Sequence, residues 1–121
     1  MAQNSIKYLT ITIIIFIAHS ILAFETTMDM VIKTDKQIKK IKIEMNEKIN
    51  MFKKSLDKTA QGLFDNEQKK WLQYMNAKTN FAADKYRGGS LSRLIGLMSM
   101  AKEFKVRLKQ IESYIENHNK P

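Results

Sequence analysis

Two adjacent glycines, Gly88 and Gly89, separate two long apolar stripes, and this break limits the possible folds more than any other feature. Before it, Trp71, Met75, Thr79, Ala82 and Tyr86 recur at spacings of 4, 4, 3 and 4. After it come Leu91, Leu94, Ile95, Met98, Ala101, Phe104, Leu108, Ile111 and Ile115, with Lys105 as the one charge on that side. Such spacing buries one face of a helix and is incompatible with the alternation of a half-buried strand. Lys105 is expected to snorkel outward on its long stem. Glycine accepts the left-handed conformation that ends helices, and Ser90 supplies an N-cap for the next one. The two stripes are therefore expected to fold back on each other as a helical hairpin.

A third stripe lies upstream: Ile38, Ile41, Met45, Ile49, Phe52 and Leu56. Thr34 and Gln37 have capping-box spacing, and Asp35 adds negative charge in the first turn, so this helix is expected to begin at 35. Asp35–Lys39 and Glu44–Lys48 are acid-first pairs four apart, which support an exposed helix face. Gly62 is expected to end it. Asp65, with Gln68 three residues on, then restarts the pattern. The predicted helices are 35–62, 66–86 and 90–116. Short connections favour antiparallel neighbours. The expected fold class is all-α, an antiparallel helical hairpin or three-helix bundle behind an N-terminal signal segment.

Residues 1–23 have the form of a secretory signal: Lys7, an isoleucine-rich run from Tyr8 to Ala18, and a small residue at Ala23. The run is short for a membrane span, which needs about 20 apolar residues. An uncleaved anchor is the alternative. Residues 24–34 read as a linker, 35–116 as the helical domain and 117–121 as a tail. The expected location is outside the cytoplasm, either periplasmic or secreted, with the N-terminal segment as a potential anchor.

Cleavage after Ala23 leaves 98 of the 121 residues, one small domain. There is no cysteine, so the disulfide staple common in small exported domains is excluded. Loss of Lys7 alone leaves 20 basic residues against 12 acidic ones, a net charge of +8. That charge suits anionic partners such as lipid head groups or envelope polyanions. The lysines of the first helix, from Lys36 to Lys58, spread over more than one face. A nucleic-acid groove focuses its cations and interleaves aromatics, so nucleic acid is not the expected partner.

The residue inventory argues against catalysis. His118, in the tail, is the one histidine downstream of the signal, and Ser55, Ser90, Ser92, Ser99 and Ser113 have no histidine near them in sequence. A serine without a base is inert. The acids pair with lysines at helical spacing, and no histidine pair or dense carboxylate cluster marks a metal site. The chain is not expected to be an enzyme or to need a cofactor. Trp71 heads the second stripe and reads as a buried anchor of the core. Tyr74 lies off the stripe and Arg87 sits at the turn, so these two are the surface binding candidates.

Gln68, Trp71 and Tyr74, followed by Tyr86-Arg87-Gly88-Gly89-Ser90, resemble the LprI-like lysozyme-inhibitor domain family of bacterial exported proteins. The resemblance runs over about residues 44–112. Met45-Asn46 looks like the family's upstream element, and Arg107 and Ile111 look like its closing arginine and leucine. Gln68, Trp71, Tyr86, Gly88, Gly89, Ser90 and Arg107 are thus its structural motif here. Lys48, Thr79 and Ser99 stand where the family usually has cysteines, and Arg87 where it often has an acid. The resemblance implies a helical exported domain and a lysozyme-type partner. Two readings stay open: a non-catalytic envelope binding module with lysozyme inhibition as its activity, or a cationic structural bundle on anionic membrane or envelope surfaces.

Overall fold

The computed structural model describes the backbone of residues 2–120 and the side chains of residues 14–15, 17–21 and 26–120. It is all-α. Helix α1 spans Ala2–Lys54, α2 Lys58–Asp84 and α3 Leu91–His118. No strand occurs among the described residues. At 1.5 Å per residue α1 is about 80 Å long, twice the length of the others.

Helix α3 packs against both other helices along its length. Contacts along α1 and α3 rise together. Val31 lines a concavity with Gly89 and Arg93, Lys48 bridges Glu112 at 2.9 Å, and Phe52 stacks on Tyr114. These two helices are therefore parallel. Helix α2 runs the other way, with Thr79 near Gly96 and Phe64 near Tyr114. The core between them contains Ile38, Met45, Phe64, Met75, Ala101, Phe104 and Ile111. Ile41, Ile49, Phe52, Leu56 and Trp71 pack on its margin, so the whole Ile38–Leu56 stripe faces inward as its spacing implies. Lys105 points to solvent, as expected.

Two boundaries differ from the sequence reading. The first is the start of α1. Residues 24–34, expected as a linker, are helical, and no helix begins at 35. Thr34 does not cap; its hydroxyl donates to the Met30 carbonyl at 2.8 Å, a bond made only within a helix. Neither glycine nor proline interrupts this stretch, and Val31 at 5 % exposure already belongs to the buried face.

The second difference is the end of α1, which stops at Lys54 and not near Gly62. Asp57 accepts from the Ala60 amide at 2.8 Å and is the N-cap of α2. Gln61 reaches back to the carbonyls of Lys53 at 3.0 Å and Leu56 at 2.9 Å, satisfying acceptors that a helix C-terminus leaves open. Gly62 lies inside α2 with open space around it. Asp65 is no cap either; it pairs with Lys53 at 2.6 Å across the turn.

The hairpin between α2 and α3 turns where the two glycines stand. Gly88 has φ +82, the left-handed value expected of it. Ser90 occupies the N-cap position of α3 but makes no capping bond, because its φ −63 and ψ −25 are already helical. Ser92 ties the turn instead, donating to the Ala83 carbonyl at 3.1 Å.

Candidate functional site

Three residues set apart by sequence, Gln68, Trp71 and Arg107, meet between α2 and α3. Arg107 is 1 % exposed. A buried guanidinium needs a partner charge and acceptors for all of its N–H groups. Nε donates to Gln68 Oε1 at 2.7 Å, and Nη1 donates to Glu67 Oε1 at 2.7 Å and Gln110 Oε1 at 3.1 Å. Nη2 donates to Glu67 Oε2 and to Gln68 Oε1. All five donors are used, and Glu67 is gripped by both arms of the fork. The ring centres of Trp71 and Tyr114 lie 5.4 and 5.8 Å from Arg107 Cζ, which adds cation–π attraction.

This cluster is a lock between two helices. Gln68 is placed three residues before Trp71 so that both face the same side of α2, one as acceptor and one as aromatic wall. Trp71 is half-buried, less enclosed than the core anchor expected from its stripe. Its ring centre lies 5.3 Å from that of Phe104 in an edge-to-face arrangement, and both rings line a recess with Lys42, Asn46 and Leu72.

Beside the lock, where α1 ends, α2 begins and α3 finishes, the surface opens into an aromatic groove of about 530 Å³. Phe52, Leu56, Leu63, Phe64 and Tyr114 line it, with Glu67, Asn117 and His118 at its edge. Phe52 is the hub. Its ring centre lies 5.3 Å from that of Phe64, 6.3 Å from that of Tyr114 and 5.7 Å from that of His118. Leu63 is 68 % exposed over this groove. No lysine or arginine lines it. Of the lysines nearby, Lys53 and Lys48 are matched to Asp65 at 2.6 Å and Glu112 at 2.9 Å, while Lys54 and Lys58 stand at the α1–α2 turn outside the lining. An exposed apolar patch rimmed by a few polar groups is a usual form of a protein-contact surface.

The sequence-derived surface candidates lie away from this groove. Tyr74 is exposed on α2, with Lys78 Nζ 5.5 Å from its ring centre. Lys78 also bonds Glu103 at 2.6 Å. That hydrogen bond, then one with Tyr74, holds the lysine above its ordinary pKa. Arg87 is exposed at the far end of the hairpin and donates from Nε to Asp84 at 2.9 Å. Tyr86 is half-buried under Lys85. Tyr86, Gly88, Gly89 and Ser90 therefore shape the turn, while Gln68, Trp71 and Arg107 form the lock near the opposite end.

The groove was missed because its residues come from three separated places and none belongs to a recognisable motif. The adjacent Leu63-Phe64 pair was its one local signal: Phe64 is buried at 7 % exposure, and Leu63 beside it is turned outward at 68 %. Among the described residues, no group of three or more histidine, cysteine, aspartate or glutamate side chains has a metal-holding arrangement. Among the described residues, no helix is long and apolar enough to cross a membrane.

Comparison with protein families gives a match over residues 22–111 to the family described as Lysozyme inhibitor LprI. Comparisons with curated proteins and with solved structures give no match.

Proposed function

The chain belongs to the lysozyme inhibitor LprI family, and from that premise we propose that it is an exported, non-catalytic module that binds and inhibits a lysozyme-type protein. The family match over residues 22–111 carries this reading. The N-terminal apolar run directs export, and the folded part then acts in the periplasm or outside the cell.

The contact surface in this reading is the aromatic groove. Lysozymes of the animal type are usually basic, and a chain with net charge +9 is repelled by them at long range. A contact must therefore avoid the lysines and use apolar burial. The groove meets both conditions, because no cation lines it and aromatic anchors dominate binding energy in such patches. The Arg107 lock serves this surface by fixing α2 against α3, which sets Phe64 and Tyr114 in place. Tyr74 and Arg87 are then peripheral to the contact.

A lysozyme turnover assay on bacterial cell walls tests the reading. The purified exported chain is expected to slow clearance in a dose-dependent, saturable way, more strongly as salt is raised, because screening weakens the repulsion. Clearance unaffected by a large molar excess of the chain at any salt concentration refutes it.

A further inference from the structure

We propose that the α1–α3 face remote from the aromatic groove is a docking site for anionic phospholipid at a membrane surface. This goes beyond the lysozyme reading and rests on different residues. A groove of about 350 Å³ runs between α1 and α3, floored by Met30, Met98 and Ala101. Lys33 stands on one rim and Lys102 and Lys105 on the other. Lys36 and Lys40 continue the cationic surface along α1, next to Asp29 as the one acid that lines it. None of these five lysines forms an ion pair among the described residues, whereas Lys39, Lys48, Lys53 and Lys78 each do.

An apolar floor between unpaired ammonium groups matches a molecule with a negative head and a hydrocarbon part. Free phosphate uses only the rim. A lipid uses both, since lysine stems cover apolar surface while their heads reach phosphate. The position along α1 favours a membrane as the source. Met28, Met30 and Ile32 are exposed just upstream, and before them Ile14, Ile15, Ile17 and Ile21 are more than half exposed. From Ile21 to Lys33 is twelve residues, about 18 Å of helix. Exposed apolar residues beside a cationic cluster on one helix suit the surface of an anionic bilayer, with the apolar side chains on lipid and the ammonium groups at phosphate. The groove lies wholly beyond Ala23, so the site persists whether or not the first residues are removed.

The test compares the full chain on neutral phosphatidylcholine vesicles and on vesicles containing one third phosphatidylglycerol, at limiting lipid and low salt. The variant Lys33→Gln/Lys102→Gln/Lys105→Gln removes the rim. Lys69→Gln/Lys70→Gln/Lys109→Gln removes the same charge from elsewhere, and circular dichroism checks that both fold. Each lysine near an anionic surface is worth about 1 kcal/mol, so the rim variant is expected to lose about a hundredfold of the anionic preference. The control variant is expected to lose less than about tenfold. Inorganic phosphate added at millimolar concentration should not displace the chain. Equal binding to both vesicles, equal losses in the two variants, or full displacement by phosphate overturns the proposal.

Discussion

Arg107→Ala is the most revealing substitution for the architecture. It removes a side chain that is 1 % exposed and leaves Gln68 without its donor. Breaking a fully buried ion pair by removing one partner costs about 3–5 kcal/mol, mainly through the stranded charge. Here the Glu67 side chain is 44 % exposed and can turn to water, so the cost falls at the lower end. Lost packing against Trp71 and Tyr114 acts in the same direction. The expected loss is about 3 kcal/mol, which lowers Tm by roughly 10–20 °C in a domain of this size. Arg107→Lys keeps the charge but cannot serve Glu67 and Gln68 as a planar fork, so it should lose more than half of that. Arg107→Met leaves Glu67 and Gln68 without their donor as Ala does, but it keeps most of the packing against Trp71 and Tyr114 and should be milder than Arg107→Ala. Thermal melts followed by circular dichroism measure the series. A Tm for Arg107→Ala within about 2 °C of the parent, or Met worse than Ala, refutes the lock.

Gly96 is buried in mid-helix, and an added Cβ meets Ala83 Cβ at 3.5 Å and Thr79 Cγ2 at 3.7 Å, ordinary contact distances. Gly96→Ala should therefore stabilise by about 0.5–1 kcal/mol in urea unfolding. Thr79 and Ser99 are each ten residues from Gly89, and Thr79 packs at Gly96, one turn from Ser99. Thr79→Cys/Ser99→Cys should close a disulfide in oxidising buffer and add about 3 kcal/mol, less any strain, whereas thiols that stay reduced refute that register. Lys78, raised by its bond to Glu103 and then by Tyr74, contributes stability that is in place below the pKa of an unfolded lysine. That contribution is lost as pH rises through the folded value, so the parent should lose Tm faster than Glu103→Gln between about pH 9 and 12.

The helical period was legible because each stripe puts its apolar residues on one face. Ile38, Met45, Met75, Phe104 and Ile111 are all buried where the spacing places them. The glycine turn was legible because a left-handed φ has few alternatives to glycine. The α1–α2 turn was not. It depends on Gln61 folding back onto carbonyls of the previous helix, an interaction between residues 8 apart that helical period does not encode. The buried charges were hidden for a similar reason. Arg107 and Glu103 look like surface residues until Glu67, Gln68 and Lys78 arrive from α2, 25 to 40 residues away in sequence. The family motif named Gln68, Trp71 and Arg107 separately, and only the packing of α2 on α3 shows them as one unit.

Lysozyme turnover with Leu63→Asn tests the central claim most directly. Leu63 is 68 % exposed, so the substitution changes the groove surface and leaves the core intact. The parent chain should inhibit lysozyme, and Leu63→Asn should weaken inhibition by at least about tenfold, the effect of losing one interface hot spot. Its melting temperature should not move, and the Lys33/Lys102/Lys105 triple glutamine variant should inhibit at least as well as the parent, because it carries less of the repelling charge. No inhibition by the parent contradicts the assignment, and undiminished inhibition by Leu63→Asn contradicts the groove.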